Sequence, residues 1–141
     1  MAQHTILLIE DSDEDYEVLQ WIFEEEKLPQ RLVRFDSGDE ALKQLLSSSV
    51  IPDMILLDLN LPATDGFEVL VAIKAHKTLR RIPVIILTTS SSEHDINKCY
   101  DAGANSYLVK MVDLDQYMQS MVSLMHYWFE LNQLPIRQPS D

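Results

Sequence analysis

The run Met54-Ile55-Leu56-Leu57 stands between Asp53 and Asp58. It is too short for a helix, so it reads as a strand buried on both faces. Pro62 and the pair Asp65-Gly66 then impose loop chemistry before the next periodic segment. Asp58 therefore falls where a buried strand opens into a loop. A carboxylate there is costly unless a cation or a reaction makes use of it. Asp58 is accordingly the candidate acceptor of a phosphoryl group.

Four further apolar runs behave in the same way: Thr5–Ile9, Leu32–Phe35, Val84–Leu87 and Ser106–Val109. Helical stripes separate them. Ser12, with Asp15 three residues on, resembles a capping box ahead of Val18, Leu19, Ile22 and Phe23, and Leu28-Pro29 ends that helix. Ser37 and Glu40 open a second helix with Ala41, Leu42, Leu45 and Leu46 on its apolar face; Ser47–Pro52 is a loop. Phe67–Ala75 and Asp95–Ala102 are the third and fourth helices, and Gly103 occupies the left-handed position after the latter. Asp113 caps a long last helix that Pro135 stops. Strands and helices alternate five times, which predicts one doubly wound (βα)5 domain with a parallel sheet and helices on both faces. The domain spans residues 1–134, and 135–141 form a polar tail.

In such a sheet, ligands gather at the carboxyl ends of the strands. Glu10 and Asp11, Asp58, Thr88 and Lys110 fall at four of these ends. Carboxylates brought together repel one another unless a cation lies between them, and a hard dication such as Mg²⁺ takes oxygen ligands. Lys110 would supply positive charge to the acids, and the Thr88 hydroxyl could donate to a phosphoryl oxygen. Asp13, Glu14 and Asp15 read as acids favoured by the dipole of a helix N-terminus, outside the site, and Asp65 reads as a turn residue. His4, His76, His94 and His126 lack ligand spacing, and no Gly-rich phosphate loop, Ser-His-Asp order or C-x-x-C occurs. A net charge of −12 opposes nucleic-acid binding. The lone Cys99, the absence of a membrane-length apolar run and a start without signal-peptide character point to the cytoplasm.

Quoted together, I-E-D-S at 9–12, L-L-D-L-N-L-P at 56–62 with D-G following, I-L-T-T at 86–89 and Y-L-V-K at 107–110 resemble the receiver domain of two-component response regulators. The resemblance implies a flavodoxin-like fold with strand order 2-1-3-4-5. It also implies that Asp58 takes a phosphoryl group from a phosphohistidine on a sensor histidine kinase. By the same resemblance Asp11, Asp58 and the backbone carbonyl of Asn60 bind Mg²⁺, and Glu10 acts through water. Thr88 and Lys110 bind the phosphoryl group, and Tyr107 is the aromatic switch that reports it. R-R-I-P-V-I-I-L-T-T, D-L-D-Q-Y and Y-W-F-E-L-N-Q-L-P are similar to small single-domain regulators that partner cyanobacterial-type phytochromes. Two departures stand out. Met111 replaces the proline that usually follows the lysine in a cis bond, so a trans bond is expected there, and Thr89 is bulkier than the residue many receivers carry.

The last helix, read as Leu114–Asn132, would be about 28 Å long against about 17 Å for a five-residue strand. It would overhang the sheet and carry Tyr127, Trp128 and Phe129 as an interface, through which, with the fifth strand, the chain forms a homodimer. A phosphatase would want a second acid two residues after Asp58, where Asn60 stands, so the reading is not an enzyme. The competing reading is a receiver-fold binding module that works without phosphorylation.

Overall fold

A computed structural model describes residues 3–47, 51–61 and 64–136. Five strands form one sheet: β1 (Thr5–Ile9), β2 (Arg31–Phe35), β3 (Met54–Leu57), β4 (Val84–Thr88) and β5 (Ser106–Val109). All pairings are parallel and the order is β2-β1-β3-β4-β5. Five α-helices connect or follow them: α1 (Asp13–Glu25), α2 (Gly38–Leu46), α3 (Gly66–Ala75), α4 (Glu93–Asp101) and α5 (Leu114–His126). The predicted fold class and strand order are thus both found.

Alternation along the strands assigns each side chain to one of two cores. Leu7, Ile9, Ile55, Leu57, Val84 and Ile86 pack with α2, α3 and α4. Ile6, Leu8, Met54, Leu56, Ile85 and Leu87 pack with α1 and α5. With period two and both faces covered, every residue of β3 is buried, as its unbroken apolar sequence predicts. Each fully buried Leu or Ile stabilises the fold by about 1.5–3 kcal/mol relative to exposure.

Side-chain caps start the helices. Ser12, Ser37, Asp65, Ser92 and Asp113 each accept a backbone N–H from the first turn. Asp65 is therefore the cap of α3. Helix α4 begins earlier than its apolar pattern indicated, because Ser92 Oγ takes the N–H of Asp95 at 3.0 Å and puts Asp95 inside the first turn. Helix α1 ends at Glu25, and Lys27 follows at φ 52°, ahead of the Leu28-Pro29 stop read from sequence. Gly103 has the predicted positive φ of 104°. Gly66 is required for another reason: a Cβ there would lie 2.3 Å from the carbonyl oxygen of Asp58.

The last helix departs most from expectation. It is α-helical only to His126, and Tyr127–Leu131 continue as a π-helix. Trp128 and Phe129 are half-buried against the α1–α5 core, and Phe129 meets the His4 ring at 4.9 Å. They do not overhang. Tyr127 and Leu131 remain exposed. Of the tail, only Pro135 and Ile136 are among the described residues, and the centre of the 47–52 loop and Pro62 also fall outside them.

Candidate functional site

Register brings the strand-end acids together. Ile9 pairs with Leu57, so Glu10 and Asp58 leave adjacent strands side by side, and the Asp58 N–H donates to the carbonyl of Ile9 at 3.1 Å. On the other side Thr88 pairs with Val109, and the Lys110 N–H donates to the Thr88 carbonyl at 2.7 Å. Glu10, Asp58 and Thr88 are the buried polar residues here, at 1%, 6% and 0% exposure, while Asp11 is exposed.

Glu10, Asp11 and Asp58 each offer a carboxylate oxygen, all lying within 4.8 Å of one another. Lys110 Nζ donates to Glu10 Oε1 at 2.5 Å, Asp15 Oδ2 at 2.8 Å and Asp58 Oδ2 at 3.3 Å. The other Asp58 oxygen, Oδ1, accepts the N–H of Asn60 at 3.0 Å. Thr88 Oγ1 accepts from the Asn60 side-chain amide at 3.3 Å and from the Ser90 N–H at 3.4 Å, which leaves its own proton free to donate elsewhere. Tyr107 lies further out, half-buried, its hydroxyl donating to the Ser90 carbonyl at 3.0 Å.

Burial pushes the Glu10 carboxyl up to about 7, Asp58 pushes the same way, and Lys110 opposes both. For Lys110, burial favours the neutral amine. The bonds to Asp15 and Glu10 and the charge of Asp58 overcome it, holding the ammonium above the ordinary lysine range. Burial likewise raises the Tyr107 phenol, against the bond to Ser90.

Asp15 corrects the reading that set it aside as a helix-terminus acid. It does stand in the first turn of α1, but its side chain reaches Lys110. The signal was its spacing: Asp15, Leu19 and Ile22 fall at i, i+4 and i+7, so Asp15 extends the buried stripe of α1. Asp13 and Glu14 are exposed, as read, although Asp13 pairs with Arg34 at 2.8 Å. Arg34 was not singled out in the sequence. Its guanidinium spans the turn that carries Glu10 and Asp11. The Lys110–Met111 peptide is trans, as are all others described, and Thr89 is exposed.

A buried strand-end aspartate within an acid cluster, with a lysine and a threonine from neighbouring strand ends, defines a class. The family described as the response regulator receiver domain matches residues 6–122, and the chain belongs to it. It is 37% identical over 135 residues to response regulator Rcp1 of Synechocystis sp. PCC 6803, covering 92% of each chain. It is 36% identical over 134 residues to the probable methanogenesis regulatory protein FilR2 of Methanothrix harundinacea, covering 92% of this chain and 86% of that one. Among solved structures, the phosphorylated cyanobacterial phytochrome response regulator RcpA superposes with a TM-score of 0.89 at 38% identity, over 96% of this chain and 100% of that one. The Mn²⁺-bound form of Rcp1 gives 0.86 at 36% identity, over 94% and 99%.

The donor set fits a hard dication: three carboxylates converge, and no histidine or thiolate is among them. Among the described residues no helix is long and apolar enough to cross a membrane.

Proposed function

We propose that this chain is a phosphoryl-accepting signalling protein whose acceptor is Asp58. The observation that carries the reading is the contact of buried Asp58 with Lys110 at 3.3 Å inside a cluster that includes Glu10 and Asp11. An Asp58 carboxylate oxygen attacks the phosphorus of a phosphohistidine on a sensor kinase. The P–N bond breaks, the imidazole leaves with the electron pair and takes a proton, and an acyl phosphate remains. Lys110 offsets the charge on the transferring group, and the free proton of Thr88 bonds one of its oxygens. Asp11 and Asp58, with the backbone carbonyl of Asn60, would hold Mg²⁺, with Glu10 reaching it through water. The ion, when bound, supplies charge neutralisation for the phosphoryl oxygens. Tyr107, whose hydroxyl now bonds Ser90, is the residue whose side chain responds to the modification.

The chain acts by surface change and not by turnover of a substrate; Asn60, not an acid, stands two residues after the acceptor. The elements from Thr5 to Leu131 support one receiver unit over 1–134. Its partner is a sensor histidine kinase of the phytochrome type, a reading supported by the 38% identity to the cyanobacterial phytochrome response regulator RcpA. Buried, unpaired Cys99 and the kinase partner support a cytoplasmic location. A second copy is the other partner. β5 is an edge strand, and a groove of about 650 Å³ runs beside it, lined by Leu108, Met111, Ser120, Leu124, Tyr127 and Trp128. Exposed Tyr127 and Leu131 flank this face, with half-buried Trp128 and Phe129 behind them.

Intact-mass spectrometry after incubation with acetyl phosphate and Mg²⁺ tests the site. Wild type gains one hydroxylamine-labile phosphate and Asp58→Asn gains none. No adduct on wild type, with this donor and with a phytochrome kinase, refutes the reading in favour of a phosphorylation-independent binding module. Sedimentation tests the dimer: Tyr127→Ala should shift the equilibrium to monomer, and a wild type monomeric at tens of micromolar with and without phosphodonor excludes it.

A further inference from the structure

We propose that Arg34 is a positioning residue for the metal cluster, acting through the backbone of the turn that presents Glu10 and Asp11. The inference rests on the Mg²⁺ reading above. Arg34 lies near the end of edge strand β2, paired with Leu8, with its side chain 16% exposed. Its Nε donates to the carbonyl of Glu10 at 2.9 Å, Nη2 to the carbonyl of Asp11 at 3.1 Å and Nη1 to Asp13 Oδ1 at 2.8 Å. The guanidinium carbon is 4.8 Å from the centroid of the Tyr16 ring, which adds a fourth restraint.

The next residue completes the hold: the Phe35 carbonyl accepts the N–H of Glu10 at 3.0 Å. Two consecutive residues of β2 therefore fix both backbone polar groups of Glu10, and one of them fixes Asp11 as well. None of these bonds touches a cluster carboxylate, so Arg34 leaves all of their oxygens available to an ion. It sets where the carboxylates stand, because a turn whose two carbonyls are pinned by one rigid fork cannot rotate its peptide planes independently. The planar guanidinium is what makes this possible. Lysine carries the same charge on a single nitrogen and cannot span carbonyls on successive residues and the Asp13 carboxylate in one plane.

The test is calorimetric titration of Mg²⁺ into wild type, Arg34→Lys and Arg34→Ala, without phosphodonor. Loss of an orienting partner outside the ligand set lowers metal affinity by about 10–100-fold, so both variants should bind Mg²⁺ at least about tenfold more weakly. Phosphorylation of Asp58 by acetyl phosphate should then need more Mg²⁺ for half-saturation but reach the wild-type rate at saturation, since Asp58, Thr88 and Lys110 are untouched. A defect from general loosening would lower the limiting rate instead. Arg34→Lys within twofold of wild type overturns the inference, whatever Arg34→Ala does, because charge alone would then suffice. If Arg34→Ala does not unfold cooperatively, Arg34→Lys decides. A wild type that binds no Mg²⁺ strikes the metal reading itself, a result distinct from normal binding by Arg34→Lys.

Discussion

Lys110 has three donors and the structure gives it three carboxylates, one each from the residue after β1, from α1 and from the residue after β3. On the proposed reading a phosphoryl group on Asp58 would need at least one of those donors, so the contacts that persist would determine where the ammonium stands during transfer. Asp15 is the holder outside the three-carboxylate cluster. Asp15→Ala should therefore slow phosphorylation of Asp58 by acetyl phosphate by about tenfold, within the cost of displacing a catalytic group by about 1 Å. Mg²⁺ affinity should be unchanged, as a mass time course and a titration would show. Because the Asp15 side chain is 45% exposed, the loss in stability should stay below about 1 kcal/mol. At this scale the sequence was partly legible. Residues at strand ends could be located from the apolar runs before them, since register does the rest. Asp15 was not, because a first-turn acid satisfies the helix dipole whichever way it points, and only its place on the stripe of Leu19 and Ile22 distinguishes it from Asp13. Arg34 was hidden in the alternation of a half-buried edge strand.

Among the elements, the turn from β3 to α3 is the most constrained. Gly66 opens α3, and a Cβ there would meet the Asp58 carbonyl at 2.3 Å and Leu59 Cα at 2.6 Å. Both are backbone atoms on the strand end that carries Asp58, so neither can yield by a side-chain rotation. Gly66→Ala should cost about 3 kcal/mol by urea denaturation, at the upper end of ordinary overpacking, and should lower phosphorylation as well. The central strands β1, β3 and β4 were legible because both of their faces are covered, which leaves no polar alternation to misread. Helix ends were less so. Ser92 moved the start of α4 by satisfying one N–H, and the π-helix after His126 follows from packing that no period of 3.6 anticipates. That wider turn sets Trp128 and Phe129 against the body and leaves Tyr127 outside.

For the whole molecule, charge is the dominant fact. The chain carries −12, and at the site one ammonium meets three acids, Glu10, Asp15 and Asp58, with Asp11 clustered beside Glu10 and Asp58. A cation that binds only the folded chain should stabilise it by mass action. Mg²⁺ at a hundred times its dissociation constant should add about 2.7 kcal/mol, seen as a rise in Tm that chelator reverses. The rise should be lost in Asp11→Asn, where one carboxylate of the cluster is gone.

The contact between Lys110 and Asp58 also has a temporal side. The two residues are 52 positions apart. A ribosome adding about 5–20 residues per second makes Asp58 roughly 3–10 s before Lys110. β4 is finished a little over halfway through that interval and β5 only at its end, so until then a growing chain carries Asp58 without the ammonium that contacts it. If Asp58 is the acceptor as proposed, competence to receive a phosphoryl group should arrive only with completion of the sheet, and partly synthesised copies should not divert phosphoryl groups from finished ones.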